Sequence, residues 1–531
     1  MTEAARVRAV DGIERIDSGV GRQALFDPTG GKAVERLALR AVAGHALMVR
    51  AGEAVARLSM AIAPHAEHVH VFAGPGNNGG DGLEAARCLH RWGRRVTLDL
   101  LAEESTPPGD AALALTRARD AGVAIASGTG GDRGAGRDRP GLVIDALLGI
   151  GASREPTGAV AAAIARIGAW RAQGAPVLAV DVPTGLDPGS GQPFGESAVS
   201  ASHTLALLTL QAGLFTASGR DTAGDVWLST LGVGVELLDP DPVAWLIGYG
   251  GSDGAVLRRH ARHKGSFGDV GVVGGAPGMT GAALLAARAA HAAGAGRVFV
   301  DLLDDAPAAQ RLDADPLRPE LMVRRGWWQG PRDTVGRSTV VCGCGGGDAV
   351  QPALPRLIAL APRLVLDADA LNALAVDPGL QAAVAARAHR GHPTVLTPHP
   401  LEAARLLGCD IAGVQSARLE AARQIAGRHR AIVVLKGSGT IIAAPGKTPF
   451  VNATGNASLA SAGTGDVLAG WIGGRWASNL SDAAGDPSED ALRIVVRAVV
   501  EHGRAAEPAR PGALRASDLI EALHRLDHGR E

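Results

Sequence analysis

The chain has 531 residues, more than one hydrophobic core commonly serves, so at least two domains are expected, each long enough to bury a full core. Its 53 Lys and Arg balance 54 Asp and Glu, which gives no electrostatic footprint for nucleic acid or an anionic membrane, so any anionic ligand must be held locally. Glycine at 73 positions, alanine-rich helical stretches and 3% aromatic residues describe an α/β enzyme rather than a β-sandwich or a disordered chain.

Four cysteines, Cys88, Cys342, Cys344 and Cys409, are too few and too irregularly spaced for a disulfide framework or a zinc knuckle. They read as buried or inert thiols of a reducing cytoplasm. The opening "MTEAARVRAVDG" lacks the apolar core of a signal peptide, and no run of about 18 apolar residues occurs, so a soluble cytoplasmic protein is expected.

In chain order, strand-length apolar runs appear at 68–76, 94–101, 141–149, 175–183 and 201–210, several ending in Gly, Asp or Pro. A second series follows at 268–278, 296–303, 338–348, 363–372, 393–400 and 431–440. Helical patterns separate them, the rhythm of α/β sheets. "DPDP" (239–242) and "GYGGSDG" (248–254) interrupt regular structure between the two series, which places domains at 1–240 and 241–531. Two surface inserts are expected, at 127–141 and 478–490.

In the first half, "VFAGPGNNGGDG" (71–82) runs a strand into a glycine turn and then a helix. Such a turn brings backbone amides and a helix N-terminus close to a phosphate, although plain tight turns look the same. Asn77, Asn78 and Asp81 add polar ligands that a plain turn does not need. Asp145 and Asp181 end later strands, where a carboxylate either caps the next helix or faces a ligand crevice. Together with Asn78 and Thr184 they offer oxygen donors for a hard cation.

These segments, with "LMVRAGEAVA" (47–56), "DALLGIG" (145–151) and "DVPTGLDPGSG" (181–191), resemble in order the NAD(P)HX epimerase domain of bifunctional NAD(P)H-hydrate repair enzymes over most of residues 10–235. The resemblance implies a three-layer αβα Rossmann-like fold that interconverts the epimers of NADHX and NADPHX, hydrated cofactors with a hydroxyl at C6 of the nicotinamide ring. It puts potassium on Asn78, Asp145 and Thr184. It puts NAD(P)HX on Asn77, Asn78, Gly79, Gly80 and Asp81, on Gly149, Ile150, Gly151, Ala152, Ser153, Arg154 and Glu155, and on Asp181. Epimerisation needs a group that acts as acid and base in turn, for which Asp181 is the candidate. In "TLALLTLQAGLF" (204–215), Gln211 stands where the family usually has Lys, keeping a donor but losing the charge.

In the second half, "VVLKGSGTII" (433–442) ends a strand in Lys436, Gly437, Ser438, Gly439 and Thr440, suited to a diphosphate or to a simple hairpin. "SAGTGDVLAGWIGG" (461–474) sets Gly463, Thr464 and Gly465 at a helix N-terminus with Asp466 in its first turn, either a base at a phosphate site or a partner of the helix dipole. "LDADALN" (366–372) carries Asp367, Asp369 and Asn372, and "LTPHPLEAARLLG" (396–408) carries His399 between two prolines.

With "HKGSFGDVGVVGG" and "GMTGAALLAARAA", these motifs resemble the ADP-dependent NAD(P)HX dehydratase from about residue 260 to the helix at 515–523. The resemblance implies a ribokinase-like fold, NAD(P)HX near Ala282, Gly345, His399 and Asp466, and the adenine nucleotide on Lys436 through Thr440 and on Gly465. It also implies ADP as co-substrate, magnesium, and a homo-oligomer. Departures at "GCGGG" (343–347 with Cys344) and "NASLAS" (456–461) alter loop shape more than chemistry. A ribokinase-like small-molecule kinase with a catalytically weak N-terminal nucleotide-binding domain is the alternative reading, and a non-enzymatic nucleotide sensor is a further rival.

Overall fold

Strands made of unbroken Val, Ile and Leu must be covered on both faces, which parallel sheets flanked by helices achieve. The computed structural model describes residues 9–10, 12–42, 45–101, 109–127, 139–234, 241–250, 263–304, 307, 312–479, 486–508, 512 and 514–527. Most of the expected insert at 127–141, the middle of that at 478–490, and parts of both interdomain breakers lie outside the described residues. The chain divides into Met1–Asp17 with Gln23–Trp245, and Ser18–Arg22 with Leu246–Glu531. Sequence reasoning did not foresee the assignment of Ser18–Arg22 to the second unit.

The first unit contains β1 (Ala9–Val10), β2 (Ile13–Ile16), β3 (His68–Ala73), β4 (Arg95–Leu100), β5 (Ala124–Ser127), β6 (Leu142–Ala146), β7 (Val177–Val180), β8 (His203–Leu207) and β9 (Asp225–Ser229). They lie in the order β1-β2-β9-β8-β7-β6-β3-β4-β5. From β9 to β5 all pairs are parallel, while β2 pairs antiparallel with β9 and β1 antiparallel with β2 at the edge. Side chains alternate as the pleat requires. Val69, Val71 and Ala73 of β3 join one buried cluster with α1 (Pro28–Ala41), α2 (Ala46–Ile62), α3 (Asn77–Arg91) and α4 (Asp110–Asp120). Phe72 joins Val143, Val177 and Ala179 under α5 (Gly158–Ala172) on the opposite face. Three layers result.

The second unit repeats the principle with β10 (Asp269–Gly274), β11 (Arg297–Leu302), β12 (Met322–Val323), β13 (Thr339–Cys342), β14 (Arg363–Leu366), β15 (Thr394–Leu396), β16 (Ile432–Leu435), β17 (Ile441–Ala443) and β18 (Phe450–Asn452). Their order is β18-β17-β16-β15-β14-β13-β10-β11-β12. The pairs from β16 to β12 are parallel, and a β16-β17-β18 meander is antiparallel. The main helices are α6 (Thr280–Ala292), α7 (Asp369–Val376), α8 (Pro400–Leu407), α9 (Arg418–His429), α10 (Thr464–Ser478) and α11 (Pro487–Ala506). Val270, Val272, Val300, Val341, Val365 and Val434 pack on α6, α10 and α11.

The first turn of α10 carries Asp466, and glycines fix its path. A Cβ at Gly470 would lie 2.0 Å from the Ala286 carbonyl oxygen of α6, a distance backbone cannot accommodate. Gly470→Ala should therefore destabilise the second unit by about 1–3 kcal/mol, read as a lower urea midpoint, because the two helices must separate.

Candidate functional site

In open parallel sheets, ligand crevices form beyond the carboxyl ends of the strands. In the first unit a cleft of about 440 Å³ lies there, lined by Pro75–Asn78 and Asp81 after β3, by Leu147–Ala152 after β6, by Asp181 after β7, and by Lys32 and Glu35 of α1. Asp181 adopts a left-handed backbone with φ 68°, a strained conformation for a residue with a side chain. Its Oδ2 accepts the Ile150 amide at 3.0 Å. Burial, opposed by that hydrogen bond, raises Asp181 to about 6. Burial, with the neighbouring carboxylates of Asp181, Glu35 and Glu84, holds Asp81 well above its ordinary range.

Behind the cleft, Asp145 is buried and takes the Thr184 amide on Oδ2 at 2.9 Å and the Thr184 hydroxyl on Oδ1 at 2.7 Å. Burial raises Asp145 to about 6 despite those donors. The side-chain oxygen and nitrogen of Asn78 are both buried without a hydrogen-bond partner. An orphaned amide oxygen, a carboxylate and a hydroxyl are each oxygen donors of the kind a hard monovalent cation takes.

In the second unit, Asp367 follows β14 and Lys436 follows β16. Lys436 Nζ meets Asp367 Oδ1 at 2.6 Å, and the same oxygen accepts the Thr397 hydroxyl at 2.8 Å. Burial would lower Lys436, but Asp367 and Glu402 outweigh it and raise the ammonium. A Cβ at Gly465 would lie 3.4 Å from Lys436 Nζ, so the cation sits against the backbone that begins α10. Burial, reinforced by Asp367, raises Asp466 to about 6. Gly437 and Gly439 take φ of 125° and 62°, left-handed conformations that favour glycine and open the Lys436–Thr440 turn.

Around this centre, Asp369 Oδ2 accepts the Gly347 amide at 2.8 Å, and Ala368 between the two aspartates has φ 47°. Gly345, at φ 58°, abuts Ala282, whose Cβ would meet a Gly345 Cβ at 2.9 Å. His399 caps α8: its Nδ1 accepts the amides of Leu401 and Glu402 at 3.1 and 3.3 Å, while Glu402 Oε2 accepts the His399 amide at 2.8 Å. Burial raises Glu402 to about 7, although Lys436 opposes it.

Residues 44–213 match a family model described as YjeF-related protein N-terminus, and residues 270–525 match one described as NAD(P)H-hydrate dehydratase. A protein of Escherichia coli (strain K12), named as a bifunctional NAD(P)H-hydrate repair enzyme, is 34% identical over 90% of this chain and 89% of its own length. A Coxiella burnetii relative of the same name is 33% identical, covering 93% of this chain and 97% of its own. The chain belongs to the bifunctional NAD(P)H-hydrate repair enzymes. Among solved structures, the ADP/ATP-dependent NAD(P)H-hydrate dehydratase of Bacillus subtilis, co-crystallised with ATP/Mg2+, is 30% identical over 52% of this chain and 95% of its own, at a TM-score of 0.44.

In this repair enzyme the expected site residues separate by position. Asn77, Asn78, Asp81, Gly149–Ala152 and Asp181 share the cleft wall. Ser153, Arg154 and Glu155 are exposed and lie outside that lining, and Glu155 accepts the Glu196 amide at 3.3 Å. Gly79 and Gly80 are buried, and a Cβ on Gly79 would strike the Gly74 carbonyl oxygen at 1.9 Å, so they close the helix onto the strand turn. Gln211 is fully buried, its Nε2 donating to Thr209 at 3.0 Å and its Oε1 unpartnered. Of the four thiols Cys88, Cys342 and Cys344 are buried, whereas Cys409 is exposed. Sequence reasoning passed over Glu402 and Thr397; the spacing His-Pro-Leu-Glu at 399–402 was the available signal, a capping box with histidine in the place of serine.

A carboxyl group with a raised folded-state pKa binds its proton more tightly in the native than in the unfolded chain. The charge on Asp181 therefore costs stability above about pH 6 and costs nothing below the unfolded value near 4. Asp181→Asn keeps an acceptor for Ile150 and suits the left-handed backbone. It should be more stable than the parent by roughly 1–3 kcal/mol at pH 8, the gain fading as pH falls through 6 towards 4, as urea melts at the two ends of that range would show.

Proposed function

We propose that the first unit epimerises R- and S-NAD(P)HX and that the second dehydrates S-NAD(P)HX to NAD(P)H at the expense of ADP, releasing AMP and phosphate. The observation that carries the reading is the meeting of Asp466, in the first turn of α10, with the Lys436–Asp367 pair and the glycine turn that follows Lys436. Hydroxide leaves poorly and phosphate leaves well. Asp466 takes the proton of the C6 hydroxyl as that oxygen attacks the β-phosphorus of ADP, breaking the bond to the bridging oxygen and freeing AMP. The ring-nitrogen lone pair then expels phosphate, and loss of a ring proton restores the dihydronicotinamide.

Lys436 and the amides of Gly437–Thr440 and Gly465 hold the diphosphate and face the charge that develops on it. Ala282, Gly345 and His399 border the space for the nicotinamide half. Magnesium, when bound, neutralises phosphate charge; it fits best as an ion carried by the nucleotide, because the closest trio of ligating side chains described in the second unit, Cys344, Asp367 and Asp466, includes a thiol. A raised pKa of about 6 leaves Asp466 ionised yet basic enough to take a proton near neutrality.

In the first unit, Asp181 is poised to exchange a proton with the C6 hydroxyl, with Asn77, Asn78, Asp81 and Gly149–Ala152 orienting the substrate. Asn78, Asp145 and Thr184 would hold potassium, which would supply fixed positive charge to that unit. The donors Asn78, Asp145 and Thr184 are all oxygen, and the amide oxygen of Asn78 otherwise lacks a partner, which supports this assignment.

Asp466→Asn should bind ADP with little change while restoring reduced-nicotinamide absorbance from S-NADHX about 1,000-fold more slowly. Dehydration at the parent rate would sink the assignment, and accumulation of a stable phosphorylated substrate by the parent would point to a kinase instead. Replacing potassium by sodium should slow conversion of R- to S-NADHX by the parent. Asp145→Asn, which loses a ligand of that ion, should convert R- to S-NADHX at the same rate in potassium as in sodium.

A further inference from the structure

The thiol of Cys344 takes no part in the dehydration described above, yet it lies within that centre. Its Sγ is 3.9 Å from Asp367 Oδ2, and one donor atom each from Cys344, Asp367 and Asp466 fall within 4.8 Å of one another. Oδ1 of Asp367 is taken up by Lys436 and Thr397, which leaves Oδ2 turned to the sulfur. Cys344 and Asp367 are 0% and 1% exposed, whereas Asp466 is only part-buried and opens the trio to ligand entry. Among the described residues, no ammonium or guanidinium lies within ion-pair distance of Asp466.

We propose that Cys344, Asp367 and Asp466 bind a thiophilic divalent cation of the zinc or cadmium class, and that its occupancy blocks the dehydratase centre. A metal–sulfur bond of about 2.3 Å and a metal–oxygen bond of about 2.1 Å at a tetrahedral angle set sulfur and oxygen roughly 3.6 Å apart. The Cys344–Asp367 separation of 3.9 Å is close to that already, and the donor atoms of all three residues lie within 4.8 Å of one another. The fourth position faces the open side through which Asp466 is reached, as in zinc sites that keep one exchangeable ligand. On binding, the thiol releases its proton to solvent. Thiolate, two carboxylates, the Lys436 ammonium and a divalent ion then sum to neutrality. Sulfur in the donor set selects against magnesium, which demands an octahedron of oxygens.

Binding follows from the geometry alone; blockage rests on Asp466 being the base of the proposed dehydration. Cadmium titration of the full chain carrying Cys409→Ala, to remove the exposed thiol, tests the first part through the ultraviolet charge-transfer band of a cadmium thiolate. A band that saturates at one equivalent is expected. It should survive Cys342→Ala, vanish on Cys344→Ala, and need more than about 10-fold more cadmium in Asp466→Asn, which keeps the thiol and serves if the cysteine variant fails to fold. No band in the parent, or a band that persists without Cys344, overturns the site. Zinc should inhibit dehydration in the parent at least 10 times more strongly than in Cys344→Ala. Equal inhibition overturns the blockage, whereas saturable cadmium binding by a chain with no dehydratase activity upholds the site and removes only the functional reading beneath it.

Discussion

The second unit is organised by one largely buried ion pair, Lys436 with Asp367, whose members follow different strands and whose side chains are 18% and 2% exposed. A charge in such a place is tolerated only when its remaining valences are met. Thr397 donates to the carboxylate, Glu402 adds a second negative charge 4.0 Å from the ammonium, and the start of α10 closes over it. Strand order, helix approach and the two glycine-containing turns all bring their ends to this pair. Burial does most to make Asp466 basic, and the same pair tunes it further, because Asp367 disfavours a second negative charge there while Lys436 limits the effect.

The first unit solves the converse problem. Its cleft collects Glu35, Asp81 and Asp181, with Lys32 among the lining, and burial leaves Asp81 and Asp181 reluctant to ionise. Crowded carboxyls that hold protons near neutrality are suited to giving and taking one in turn. Crowding of this kind lowers stability, a cost accepted where reactivity needs it. The left-handed backbone at Asp181 adds to that local strain.

Much of this was legible in the sequence because parallel strands have a simple signature. Runs such as "VLAV" and "IVVL" are buried on both faces, and the Asp or Lys that follows each run falls at the carboxyl edge of its sheet. Asp145, Asp181, Asp367 and Lys436 were readable for that reason, and Asp466 because a glycine turn delivers it to the first turn of a helix. The short antiparallel edges were not, since Ile13–Ile16 and Phe450–Asn452 are too brief to show a period. Packing roles were equally hidden: Gly79 reads like a ligand-facing glycine until the Gly74 carbonyl is found against it. Glu402 escaped because a glutamate early in an exposed-looking helix gives no hint that it is 4% exposed.

His399 shows how a capping contact can restrict chemistry. Two backbone N–H groups point at its Nδ1, so that nitrogen must keep its lone pair and the ring proton must sit on Nε2, which faces Glu402 Oε1 at 3.1 Å. Protonating the ring would set a third N–H against two others and unfasten the first turn of α8. The imidazole is therefore locked in one tautomer: it can offer a hydrogen bond from Nε2, but it cannot serve as a proton acceptor without giving up the end of a helix.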